Sequence, residues 1–209
     1  MPELEAFLTE SAARHNHLCP RQVLGVRMGL AGAAELGIPL PNPNKRLLTI
    51  IETDGCFADG IEVSTGCAVG HRTLRVEDYG KVAATFIDTK LGRKIRLRPK
   101  PDIRQRALFY CPEETRHYFY QLQGYQIMPV HELFQIDVVE LTVPIEEILS
   151  SPGIHTSCEN CGEEIFNERE VDHAGKILCV ACSGSAYYQE VAQHADLPVK
   201  DQVWLNSAS

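Results

Sequence analysis

Two C-x2-C pairs, Cys158-Glu-Asn-Cys161 and Cys179-Val-Ala-Cys182, stand 17 residues apart late in the chain, and no other feature narrows the possible folds as far. Four thiols at this spacing match the ligand set of a tetrahedral zinc site. Each C-x2-C turn presents two thiolates to one ion, and Gly162 directly after the first pair relaxes the backbone there. Four sulfur ligands leave no position for water or substrate, so the site is structural rather than catalytic. Glu168 to Val180 has the pattern of a hairpin turning at Ala174-Gly175, with His173 expected on its surface. From Ser183 the chain carries Tyr187, Tyr188, Val191 and Ala192 at helical spacing, predicting a helix to His194. Knuckle, hairpin and a second knuckle opening a helix describe a treble-clef-like zinc finger with four cysteine ligands. Ser150-Ser-Pro-Gly153 reads as a linker, dividing the chain into a core domain, 1–150, and a finger with its tail, 154–209.

The remainder is the composition of an ordinary globular core: 209 residues, 44% hydrophobic and 23% charged. Apolar runs such as Leu47 to Ile51 are far too short for a membrane span, and the acidic start Met1-Pro-Glu-Leu-Glu-Ala is unlike a signal peptide. A cytoplasmic location is expected, with the eight cysteines as ligands or reactive thiols rather than disulfides. Helical spacing predicts helices over 2–14 and 20–36, the second with Cys19 as cap, Pro20 at its first position and Gly37 as stop. Gly25, Gly29 and Gly32 in that helix predict close packing against a neighbour. Arg46 to Glu52 reads as a buried strand, and Asp59-x-x-Glu62 as a capping box before a helix from 60 to 66. Strand arms at 81–88 and 93–98 form a hairpin across Thr89 to Gly92. Helices are predicted at 102–110 and 112–123, and a half-buried strand at 133–143. The fold class is α+β, helices packed on a mixed or antiparallel sheet.

Chemistry concentrates in two places in this core. His15-Asn-His17-Leu-Cys19-Pro20 sets two imidazoles and a thiol at a junction between helices, donors that suit a soft or borderline transition metal. An exposed thiol at the cap position of Cys19 would be partly thiolate, fit for a ligand or a nucleophile. Asp54-Gly-Cys56-Phe-Ala-Asp59 and the following Gly66-Cys67 bring two more thiols and two carboxylates. A second metal site is expected from His17, Cys19 and Cys56 with His15 or Cys67, and with Asp54 and Asp59 orienting an imidazole. Cys111 reads as buried filler.

These motifs together resemble the FmdE family, the E component of formylmethanofuran dehydrogenase and its relatives. The resemblance rests on His15 to Pro20, on Cys56 and Asp59 beside an acidic strand end, on Thr65-Gly66-Cys67, on the hairpin ending Arg96-Leu-Arg-Pro99, and on Glu132-Leu-Phe134 before a strand. It covers about residues 5–145; the cysteine module matches a finger found on only some relatives. It implies an α+β core, an intertwined homodimer in some members, and association with molybdenum or tungsten formylmethanofuran dehydrogenase loci. It implies no known reaction. Asn16 and Arg21 stand where the family usually has glycine, and Gly70-His71-Arg72-Thr73 where it commonly continues G-K-G-N. If that lysine has a role, His71 takes it over or becomes an extra ligand, or the role has lapsed.

The net charge of −8 argues against wholesale wrapping of nucleic acid, and most of it belongs to the finger: residues 151–209 hold 3 basic against 9 acidic side chains. Arg93, Lys94, Arg96, Arg98, Lys100, Arg104 and Arg106 form a basic stretch that could meet nucleic acid, an anionic ligand or the acidic finger of a second copy of the chain. The expected function is a metal-binding accessory or sensor protein with a zinc finger for protein contact. Its alternatives are an enzyme using the core metal or the Cys19 thiolate, and a nucleic-acid-binding regulator. A homodimer is expected, with Trp204 in the tail Leu197 to Leu205 as an anchor.

Overall fold

The apolar, β-branched run at Leu47–Ile51 forms β1, the strand on which the rest of the first unit is built. In the computed structural model, which describes residues 2–42, 44–149 and 153–189, the chain divides into two units, Met1–Thr142 and Val143–Ser209. β1 pairs parallel with β2 (Leu74–Val76) and antiparallel with β3 (Ala84–Asp88); β3 then pairs with β4 (Lys94–Pro99), and β4 with β5 (Phe134–Val138). The order β2-β1-β3-β4-β5 makes a five-stranded mixed sheet, with Phe86 opposite Thr49 and Ile95, and Leu97 opposite Ala84 and Ile136.

Helices α1 (Pro2–His15), α2 (Pro20–Leu36), α3 (Cys56–Thr65), α4 (Ile103–Tyr110), α5 (His117–Ile127) and the single turn α6 (Val130–Leu133) complete this unit. α2 starts with Pro20 and ends at Gly37, whose φ of 66° no ordinary side chain adopts cheaply. It is the central helix, with Val23, Val26 and Met28 fully buried. Its glycines are spacers, as expected: a Cβ on Gly25 would collide with the Phe57 carbonyl and Gly60, one on Gly29 with Ser64, and one on Gly32 with the Phe86 ring. Because Gly25 meets Gly60 and Gly29 meets Ser64, α2 and α3 run parallel, and their starts lie side by side.

Several expected boundaries move. α3 begins at Cys56, four residues ahead of the expected start, because Gly55 takes φ 70° and ψ −149°, a conformation open only to glycine, and turns the chain straight from the strand end into the helix. Asp59 and Glu62 therefore lie inside the helix instead of boxing its start. α5 begins at His117 rather than 112: Glu114 folds back on the Arg116 backbone and guanidinium, and this loop replaces the first helical turn. Within α5, Gly124 lets the helix lie against Ala107 of α4. β5 is confined to Phe134–Val138, with Val138 86% exposed, so the expected alternation ends before that residue. β2, three residues long, is too short to leave a sequence pattern.

The second unit contains α7 (Ile145–Leu149), a hairpin of β6 (His155–Ser157) with β7 (Glu164–Phe166), and a hairpin of β8 (Val171–His173) with β9 (Lys176–Leu178) turning at Ala174-Gly175. His173 is exposed. The expected helix after the second knuckle is a correction: one π-helical turn spans Ala181–Ser185, broken by Gly184 at φ 101°, and 186–189 are not helical. Residues 150–152 of the expected linker, 190–194 of that helix, and the tail with Trp204 lie outside the described residues.

Candidate functional site

In the second unit both hairpins exist to bring two C-x2-C turns together. The Sγ atoms of Cys158, Cys161, Cys179 and Cys182 all lie within 4.8 Å of one another, with Cys161 and Cys179 4.0 Å apart. Sulfurs about 2.3 Å from a tetrahedral zinc stand roughly 3.8 Å apart, so this donor set fits that ion. The sulfurs also receive backbone and side-chain donors. Cys179 N–H reaches Cys158 Sγ at 3.3 Å, Cys182 N–H reaches Cys179 Sγ at 3.4 Å, and Asn160 Nδ2 reaches Cys182 Sγ at 3.3 Å. Backbone N–H donors of Cys161 and Cys179 pull the Cys158 thiol down to about 6, toward the thiolate that a metal needs. Among the described residues of this unit, Cys158, Ile165 and Leu178 are the buried side chains, so apart from sulfur there is almost no core.

In the first unit, the parallel packing of α2 on α3 places Cys19, the residue before α2, beside Cys56, the first residue of α3. Burial, followed by the neighbouring Cys19 thiol, raises the Cys56 thiol above its ordinary range. Cys19 is only 8% exposed, so the exposure on which the expected activated thiolate depended is not met. Gln22 anchors the turn: its Oε1 accepts the Cys19 N–H at 2.8 Å while its Nε2 donates to the Ser11 carbonyl at 2.8 Å. His15 and His17 stack at 5.9 Å between centroids. His17 Nδ1 lies 2.9 Å from the His15 carbonyl, an acceptor only, which leaves Nε2 as the free lone pair. Asp59 Oδ2 is buried without a hydrogen-bond partner, 3.3 Å from His15 Nε2 but out of line for a hydrogen bond.

The core residues thus meet in pairs, Cys19 with Cys56 and His15 with Asp59. Among the described residues, the four distal cysteines are the group whose ligand atoms gather three or more around one point. Cys67 is elsewhere: it follows the far end of α3, about 15 Å along a ten-residue helix from Cys56, and bonds to Thr49 Oγ1 and the Leu47 carbonyl. The expectation that it joins the core site is corrected. His71 lines a separate cleft with Lys45 and Thr73. Asp54 is exposed at the strand end, and Cys111 is half-buried at the end of α4 rather than buried filler.

A cleft of about 670 Å³ opens beside Cys19 and Pro20, with Arg21, Lys100, Arg104, Tyr118, Gln121 and Tyr125 among its lining residues. Tyr118, on α5, donates from its hydroxyl to the Leu18 carbonyl at 2.8 Å, and burial followed by the Cys19 and Cys56 thiols raises its phenol. No periodicity or motif announces that residue, because its partner lies 100 positions away. The face of β4 expected to be basic is neutralised. Lys94 pairs with Glu140 at 2.8 Å, Arg96 with Glu52 through both carboxylate oxygens, and Arg98 with Asp137 at 3.6 Å.

Fold and sites together define a two-part protein, a mixed α+β unit followed by a four-cysteine zinc finger. The sequence pattern of the family described as "FmdE, Molybdenum formylmethanofuran dehydrogenase operon" matches residues 14–134, more than half of the chain, and the chain belongs to that family. Residues 153–188 match the prokaryotic dksA/traR C4-type zinc finger. The chain is similar to a probable S-adenosyl-L-methionine-binding protein of Archaeoglobus fulgidus, 28% identical over 210 residues that cover 88% of this chain. It spans about half, 54%, of that relative's length. A tungsten formylmethanofuran dehydrogenase FmdE-like protein of Syntrophus aciditrophicus shares the fold: TM-score 0.56 at 18% identity, over 89% of this chain and 95% of the other. Among the described residues, no helix is long and apolar enough to cross a membrane.

Proposed function

We propose that this protein is a cytoplasmic metal-binding accessory or sensor of the FmdE type, associated with molybdenum or tungsten formylmethanofuran dehydrogenase systems. Cys19 and Cys56, with His17 and His15, hold a transition metal ion in the core, and the finger makes contact with a protein partner or a second copy of the chain. The observation that carries the reading is the meeting of two thiols from residues 37 positions apart at the adjoining starts of α2 and α3. The buried, unpartnered Asp59 oxygen beside His15 supports it, since an orphaned carboxylate oxygen calls for a cation or a charged imidazole. Thiolate and neutral imidazole suit zinc, iron, nickel or copper(I).

Elemental analysis of protein purified without added metal tests the core site. Two metal equivalents per chain are expected, and a His17→Ala, Cys19→Ser double variant should lose one and keep the zinc of the finger. One equivalent in both proteins would defeat the proposal. The cleft beside Cys19 favours the enzyme reading as second choice, because it gives a ligand access to that ion. Binding of S-adenosylmethionine, named for the Archaeoglobus relative, is not favoured: among the described residues the cleft has no carboxylate to meet a sulfonium or ammonium group. A homodimer is part of the proposal; light scattering that gives one chain mass at micromolar concentration would remove it.

A further inference from the structure

We propose that the cleft beside Cys19 binds a small organic polyanion, a molecule with two or more carboxylate or phosphate groups on a scaffold with an apolar or ring portion. Three cations from distant parts of the sequence converge there: Arg21 in the first turn of α2, Lys100 just after β4, and Arg104 in the first turn of α4. Among the described residues, no acidic side chain lines the cleft.

The remaining cations of the basic stretch show how unusual this is. Lys94, Arg96, Arg98 and Arg106 each have a carboxylate partner, and Arg93 Nη2 donates to the Glu35 carbonyl at 2.8 Å. Among the described residues Arg21, Lys100 and Arg104 have no ion pair. Asp102, whose carboxylate Lys100 also stabilises, is held by Arg106 at 2.5 Å. Three like charges facing one concave surface repel one another, and a bound anion relieves that repulsion. The positive end of the 17-residue α2 opens on the same space.

The other walls fit an organic molecule. Leu24, Val82 and Ile103 are apolar, Tyr118 is 43% exposed, and Gln121 offers an amide. The Tyr125 hydroxyl donates to Gln121 Oε1 at 3.3 Å, which leaves the Gln121 amide nitrogen as the donor of that pair. A volume of about 670 Å³ lies in the range of cofactor and metabolite sites. Because the β4 face is neutralised by its own carboxylates, the free positive charge is a pocket and not a track, which favours a small molecule over a nucleic-acid strand.

Isothermal titration at low ionic strength with ADP, pyrophosphate and citrate, and adenosine as the uncharged control, tests the inference and separates phosphate from carboxylate ligands. At least one polyanion should bind with micromolar affinity, more weakly as salt is added, while adenosine does not. Lys100→Gln and Arg104→Gln should each weaken binding about tenfold, whereas Lys90→Gln, the same charge change in the β3–β4 turn, should leave it unchanged. Neither cleft residue carries a structural ion pair, so unchanged melting curves are expected. The inference does not rest on the core metal, and binding should survive Cys56→Ser. It is overturned if none of the three anions binds, if binding ignores Lys100 and Arg104, or if it vanishes in Cys56→Ser, which would place the anion on the thiol-bound metal.

Discussion

Asn16 shows how one residue can preserve a loop. Its φ is 58°, the left-handed region that glycine enters freely and that asparagine enters more easily than other side chains. This left-handed residue turns the chain out of α1 and fixes the placement of His15 and His17 on either side of it. Asn16→Val should cost roughly 1–2 kcal/mol and Asn16→Gly very little, read from urea denaturation midpoints. Arg27 is a buried cation with no carboxylate. It donates to the Tyr125, Gln126 and Met128 carbonyls at 2.8, 2.7 and 2.7 Å, closing the C-terminal end of α5, and burial lowers its pKa. Arg27→Met strands those carbonyls and should destabilise the unit by about 3 kcal/mol in the same assay. Asp88 makes the stability of the first unit depend on acid. The Arg46 guanidinium, aided by the Lys90 and Leu91 N–H groups, holds its carboxylate below the ordinary range. Its folded pKa lies under its unfolded one, so its contribution is full above about pH 4 and fades as pH falls through the folded value. Thermal melts of Asp88→Asn should therefore approach those of the wild type as the medium is acidified, and a constant gap down to about pH 2 would refute this.

At the scale of elements, the α2–α3 contact sets the distance between the two thiols. Gly25 and Gly60 let the helix backbones touch, and any side chain there pushes the helices apart. Gly25→Ala should cost on the order of 1–3 kcal/mol through overpacking and also separate Cys19 from Cys56. Crosslinking the two thiols with a short bifunctional reagent should become slower in that variant. A Gly25→Ala protein that melts and crosslinks like the wild type would show that the helix contact does not set the thiol geometry.

For the whole molecule, the two units depend on different forces. The first buries a continuous core from Leu8 to Phe134, while the second, among its described residues, has three buried side chains and relies on its metal. Cys161→Ser should release one zinc and make residues 154–189 sensitive to protease while the first unit keeps its melting transition. Chelation that melts the entire chain in one step would contradict this independence.

The finger was legible in the sequence because its ligands are local: two residues separate the members of each pair, and the intervening length suits two short hairpins. The α2 glycines, Gly37 and the buried β1 were legible for the same reason, each being written in neighbouring residues. Local patterns failed where a single backbone torsion decided the outcome, as at Gly55, which moved the start of α3, and at Gly184, which cut short the helix of the finger. The core site needed tertiary structure throughout. Cys56 and Cys67 look equivalent as sequence, yet a helix between them carries one to Cys19 and the other to Thr49 at the opposite end. The seven basic residues likewise look alike in sequence. Only the tertiary structure, in which the sheet gives Lys94, Arg96 and Arg98 carboxylates from β5 and the loops, reveals that Lys100 and Arg104 are left to face the cleft with Arg21.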